Sequence, residues 1–131
     1  MRTDQRAVAE AFFRAMHTWE DMAFLELFEE NGVYVEPFSG TAKTHRGRAA
    51  IGESFRVNWT QKPPNFRIEM GSIDVSGSNV RAEWQCTWDG LGGWMRGVDD
   101  FEIRNGLIAR LEVRVTEMPG QAPPSPAASG A

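Results

Sequence analysis

From residue 66 onward, apolar and polar positions alternate in four long runs, and a period of two predicts four β-strands. The first run covers residues 66–75 and turns at Ser76-Gly77-Ser78-Asn79. In the second, residues 80–89, Val80, Ala82, Trp84, Cys86 and Trp88 share one face, and Arg81, Glu83, Gln85 and Thr87 take the other. Gly90, Gly92 and Gly93 form the next turn. The third run, 94–103, ends at Arg104-Asn105-Gly106, whose Asn-Gly pair favours a tight hairpin. The fourth, 107–117, places Leu107, Ala109, Leu111, Val113 and Val115 inward.

The first half follows a helical period. Val8, Phe12, Ala15 and Met16 form one stripe of a helix over residues 4–18, with Phe13 at its edge and Asp4 as N-cap. Residues 19–22 interrupt the pattern. A second helix carries Met22, Leu25, Leu27 and Phe28 and stops at Asn31-Gly32. A short strand over 33–36 is closed by Pro37, and 38–44 reads as loop. A third helix, 48–59, presents Ile51, Phe55 and Trp59 on one face, and Lys62-Pro63-Pro64-Asn65 ends it. The expected architecture is α+β: one curved antiparallel sheet wrapping three N-terminal helices, with an apolar pocket between the layers.

One residue breaks the pattern. The odd positions of the third strand are Met95, Gly97, Asp99, Phe101 and Ile103, so the period of two puts Asp99 among core side chains. Asp100 falls on the other face with Arg96 and Glu102. An unpaired carboxylate in an apolar setting is costly, so Asp99 must meet a cation or hold its proton. A protonated acid on a cavity wall donates a hydrogen bond, suited to a carbonyl or a developing oxyanion. The plainer reading is a buried aspartate that caps a turn or ties two strands. Glu36 shares a strand face with Tyr34, opposite Val33 and Val35, and since both faces are mixed the pattern does not say which points inward. Facing the cleft, the pair offers a base and a phenol; facing out, Glu36 is a strand-end carboxylate in solvent.

Composition narrows the classes. The 131 residues fit one domain, 1–118, followed by a Pro, Gly, Ala and Ser tail at 119–131 that holds no bulky apolar residue and is expected to be disordered. A net charge of −4 without a basic patch argues against nucleic acid. The lone Cys86 makes no internal disulfide, and no stretch reaches the roughly 20 apolar residues of a membrane span, so a cytoplasmic protein with no membrane partner is the expectation. His17 and His45 flank the expected cleft mouth, each an acid/base candidate or an ordinary helix-end residue. Two histidines without acidic partners at ligand spacing make no metal site, and no phosphate-binding glycine loop or dinucleotide motif occurs, so no cofactor is expected. Arg81 and Arg96 are expected to pair with Glu83 or Glu102. Cys86, facing inward without a partner base, is a poor nucleophile.

Four stretches carry a family resemblance. They are Leu25-Glu26-Leu27-Phe28-Glu29-Glu30-Asn31-Gly32-Val33, Arg46-Gly47-Arg48-Ala49-Ala50-Ile51, Val98-Asp99-Asp100-Phe101-Glu102-Ile103 and Asn105-Gly106-Leu107-Ile108. In order and spacing they resemble the nuclear transport factor 2-like superfamily, in its SnoaL-like and ketosteroid isomerase-like branch, over about residues 5 to 117. The resemblance implies a cone-shaped fold. It maps Glu36, just before Pro37, onto the isomerases' proton-shuttling base, and Asp99, two before Phe101, onto their protonated oxyanion donor. Ketosteroid isomerase is the standing example of an acid kept neutral by an apolar site. SnoaL-like cyclases also place an acid/base aspartate near Asp99. The isomerases' helix tyrosine is matched here by Phe13 or Phe12, neither of which donates. Val113 stands where the related epoxide hydrolases would need part of an Asp-Arg-Asp set.

Three functions follow. The first is a cofactor-free isomerase, cyclase or lyase on an apolar carbonyl compound, with Asp99, Glu36, Tyr34 and His17 as catalytic candidates and Phe13, Phe55, Trp59, Trp84 and Phe101 lining the pocket. The second is a non-catalytic binder of a small apolar molecule. The third is an assembly module: members of this fold are often homodimers, and Trp84, Trp88 and Trp94 are candidates for an outer sheet face that would pair.

Overall fold

The computed structural model of the chain describes residues 5–16, 23–38, 41–58 and 64–119. Helix α1 (Gln5–Ala15) is followed by a short 3-10 helix (Ala23–Leu27), strands β1 (Phe28–Glu36) and β2 (Lys43–Arg46), helix α2 (Arg48–Asn58), and strands β3 (Arg67–Ser76), β4 (Asn79–Thr87), β5 (Met95–Arg104) and β6 (Leu107–Glu117). The six strands form one sheet in the order β2-β1-β6-β5-β4-β3. The chain leaves β2 through α2, enters the far edge at β3, and meanders back until β6 lies beside β1. That return makes β1 and β6 parallel, while every other pair is antiparallel. The sheet is therefore mixed, a correction to the wholly antiparallel expectation.

The expected second helix is also corrected: among the described residues, two α-helices and one 3-10 helix stand where three helices were expected. Helical structure ends at Leu27, and β1 begins at Phe28. Phe28 pairs with Ile108 and Val33 with Arg110, so residues 29–32 bulge opposite Ala109. The Asn31-Gly32 pair serves that bulge rather than a helix end. A Cβ on Gly32 would stand 3.0 Å from the Glu29 oxygen and 3.2 Å from the Ile108 oxygen. The Phe28 carbonyl accepts from Arg48 Nε at 2.9 Å and Nη2 at 2.6 Å, so the start of α2 holds the bulge closed. The edge strand β2 takes up residues 43 and 44, the end of the expected loop, together with His45 and Arg46; the segment is short and polar, which gives periodicity nothing to detect.

Further register shifts lie between Met70 and Ile73, Arg96 and Gly97, and Glu102 and Ile103. Each extra residue bends a strand, and together they curve the sheet. The shift at Glu102/Ile103 inserts Ala109 into β6, so Ile108 is buried as well as Ala109, which strict alternation did not foresee.

Helix α1 packs across β3, β4 and β5, and α2 packs on β1 and β2. Phe12 is the hub. Its ring meets Phe13, Phe24, Phe28 and Phe101 edge-on, with centroids 5.6–6.3 Å apart, a geometry in which ring edges face ring faces. Among the described residues, no helix is long and apolar enough to cross a membrane.

The outer face of the sheet is charged. Arg81 Nε donates to Asp100 Oδ1 at 2.9 Å, Arg114 donates to Asp100 Oδ2, and Arg110 donates to Glu112 at 3.2 Å. Arg96 reaches Gln85 and Glu117. The expected partners Glu83 and Glu102 are thus replaced: antiparallel pairing sets Arg81 directly opposite Asp100 and Gln85 opposite Arg96. Of the tryptophans considered for an outer pairing face, Trp84 is buried on the inner side, Trp88 stacks on Phe66 against the core, and Trp94 has the Arg67 guanidinium 5.4 Å over its ring.

Candidate functional site

Strand β5 sends Met95, Gly97, Asp99, Phe101 and Ile103 inward, all buried. Asp99 stands on the wall of an apolar cavity of about 60 Å³ between the sheet and the helices. Phe13 from α1, Tyr34 from β1, Phe55 from α2, and Trp84 and Cys86 from β4 share that wall. The volume holds a few waters and falls below the ~150 Å³ that admits a benzene ring. A ring compound therefore enters only if lining side chains such as Met16 and Phe38 swing aside.

Asp99 is 3% exposed, and among the described residues no cation hydrogen-bonds to it. Its partner is neutral: Trp84 Nε1 donates to Oδ1 at 2.8 Å. Burial pushes the carboxyl up to about 8, the Trp84 bond draws it partway back, and the charge of Asp100 adds a small upward push. At neutral pH Asp99 is mostly an acid with its proton on. The Tyr34 hydroxyl is held well above its usual value, first by burial and then by the nearby Asp99 and Glu36 carboxyls. Burial alone lifts the Cys86 thiol to about 12, which leaves it inert.

Glu36 is fully buried, which corrects the solvent-exposed alternative. Tyr34, Val35 and Glu36 are all buried in succession, so both faces of β1 are covered there and the alternation that would have marked an inner face is erased. The Phe38 N–H donates to Glu36 Oε1 at 2.6 Å across Pro37, and His45 Nε2 lies 2.8 Å from Oε2. With Glu36 ionised, Nε2 carries the proton and donates. His45 sits on β2 opposite Tyr34, and their rings stack with centroids 6.0 Å apart; Phe55 also stacks on Tyr34, at 5.3 Å. Register places the carboxylates relative to each other. Asp99 pairs with Val113, and one step beyond the Val35–Glu112 pair brings Glu36 alongside Val113. The two acids thus share a face two strands apart, roughly 10 Å between strand axes.

Of the sequence candidates, the structure gathers Asp99, Tyr34, Phe13, Phe55 and Trp84 on one cavity and sets Glu36 just off its wall, tied to His45. Phe101 is not on the cavity wall; it packs edge-on against Phe12 and Phe13, which are. His17 and Trp59 lie outside the described residues, as does the tail from residue 120. Two features escaped sequence reasoning. The Trp84 indole is the partner of Asp99, and Gly97 makes that possible: a Cβ there would overlap the indole, 2.7 Å from Cε2, and collide with the Arg114 carbonyl oxygen. A glycine on the core face of an otherwise bulky strand was the signal. Among the described residues no group of three potential metal ligands occurs.

Comparisons with known proteins agree with this fold. The sequence profile of the SnoaL-like domain family matches residues 9–111. No curated protein sequence matches the chain. Among solved structures, a nuclear transport factor 2-like protein of unknown function from Burkholderia xenovorans LB400 is similar, with 22% identity over 91% of this chain and 87% of that one and a TM-score of 0.69. A protein described as a candidate ketosteroid isomerase from Kribbella flavida shares 22% identity over 97% and 87%, with a TM-score of 0.67. One described as a candidate polyketide cyclase from Sinorhizobium meliloti shares 20% over 86% and 100%, with a TM-score of 0.67. At these identities the likeness shows the fold.

Proposed function

The chain belongs to the SnoaL-like domain family, and from that premise we propose that it is a cofactor-free acid–base catalyst acting on a small, flat carbonyl compound. The observation that carries this reading is Asp99, an acid held neutral by burial on an apolar cavity wall. Glu36, oriented by His45 and the Phe38 N–H, takes a proton from the carbon next to the carbonyl. The freed electron pair moves into the ring and onto the carbonyl oxygen. Asp99 donates to that developing oxyanion, and Glu36 returns its proton at another carbon, which balances an isomerisation. Tyr34 supplies the phenol that Phe12 and Phe13 cannot. Neighbours described as a candidate ketosteroid isomerase and a candidate polyketide cyclase support the class of reaction.

Deuterium uptake into small cyclic enones, followed by proton NMR in D2O, tests this without knowledge of the natural substrate. Wild-type protein is expected to accelerate exchange. Glu36→Gln and Asp99→Leu are each expected to lose about 10²-fold or more. Exchange no faster than in buffer, with the enone still bound, would move the chain to the second reading, a non-catalytic pocket. One observation favours that alternative: both Glu36 oxygens are already engaged, and Glu36 stands off the cavity wall.

A further inference from the structure

Trp84 and Gly97 face each other across β4 and β5, and Asp99 lies two residues along β5 on the same face. An indole reaching from Trp84 to Asp99 must cross the backbone at residue 97, and only a residue without a Cβ leaves that path open. The bond at its end, Nε1 to Oδ1 at 2.8 Å, joins two buried groups.

We propose that Trp84 is a positioning residue: its indole N–H, laid across the bare backbone of Gly97, fills Oδ1 of Asp99 and leaves the acid proton on Oδ2, aimed at an enolate, phenolate or carbonyl oxygen in the cavity. A neutral carboxyl has one accepting and one donating oxygen. A donor fixed on Oδ1 makes that oxygen the acceptor, since moving the proton there would strand a buried N–H, a disfavour of roughly tenfold or more. Any ligand seated against Asp99 then meets a donor, which selects oxygen acceptors and rejects N–H and O–H donors. The use of this device rests on the acid–base reading; its geometry does not.

Among the described residues, the titratable groups around Asp99 are few. Tyr34 faces it from β1, with Glu36 and its partner His45 farther along; Cys86 lies on β4; Asp100 points from the opposite face of β5. The described parts of α1 and α2 bring only phenylalanine and methionine side chains to the cavity.

A pH series of proton–nitrogen spectra resolves the indole N–H groups, read beside a carbon-detected titration of Asp99. In wild type, one indole resonance is expected to shift with the same midpoint as the Asp99 carboxyl. Asp99→Asn should make that resonance pH-invariant. Trp84→Phe should move the Asp99 midpoint upward, because the bond that lowers it is gone. Gly97→Ala should move it the same way without altering either partner. An indole set that ignores the Asp99 titration, or a midpoint unmoved in Trp84→Phe, overturns the proposal; both measurements stand if Gly97→Ala fails to fold. Coupled titration with no enone exchange would keep Trp84 as the positioning residue and remove the catalytic reading.

Discussion

Asp99 and Asp100 are neighbours in sequence and opposites in environment. Asp100 lies on the outer face between Arg81 and Arg114 and is hydrogen-bonded to both. Asp99, 3.3–3.4 Å further back along the strand by ordinary rise, points to the opposite face, into an apolar cavity, and among the described residues its hydrogen-bond partner is a neutral indole. The two faces use the same residue type for different ends. Outside, a carboxylate helps neutralise a row of arginines that runs across β4, β5 and β6. Inside, the same group is buried among apolar side chains with no ion-pair partner among the described residues, so its proton becomes the stable state. A strand that reverses the chemistry of adjacent side chains in this way puts a proton donor in a cavity without any cofactor.

The largest effect should come from removing the inner acid. Asp99 titrates near 4 in an unfolded chain and about 8 in the folded one. Between those values the folded state holds one proton more, so this contribution to stability is fully present below about pH 4 and is lost as pH rises toward 8. The window is about four pH units at ~1.4 kcal/mol each, several kcal/mol in all. Urea unfolding of Asp99→Asn and wild type from pH 4 to 9 should therefore diverge, with the variant gaining on wild type up to about pH 8. Parallel curves would mean that the inner face does not hold the proton.

Next in size is the packing that makes the inner face dry. Phe12→Ala removes a ring in contact with four others and should cost ~3–5 kcal/mol by urea or thermal unfolding. It should also draw the Asp99 midpoint down as water enters. The smallest effect belongs outside. Asp100→Asn breaks two ion pairs whose arginines are about half exposed, so it should change stability by under ~1 kcal/mol, and less in high salt. An Asp100 variant costing as much as an Asp99 variant would erase the distinction between the faces.

The legible parts of this molecule were those with one covered face. From β3 to β6 one side of the sheet is packed and the other wet, and alternation reports that directly; Asp99 stood out because it occupied an apolar parity. The pattern failed at β1, where burial on both faces made Glu36 and Val35 look alike. It failed at residues 28–32, where a bulge closed by Arg48 reads locally like the end of a helix. It was silent on β2, an edge strand without apolar rhythm, and so His45 was not linked to Glu36. The Trp84–Asp99 bond was hidden for another reason. Parity says which face a side chain takes, but not that an indole runs two residues along its neighbour strand over a glycine.

The central claim is a neutral acid on a cavity wall, and a carbon-detected NMR titration of the aspartate and glutamate carboxyls reads it directly. The account predicts one aspartate, assigned to Asp99, that keeps its proton through neutral pH and releases it near 8. An Asp99 carboxyl that titrates at or below the ordinary aspartate value, ~4, would show a solvated or ion-paired group and contradict the account.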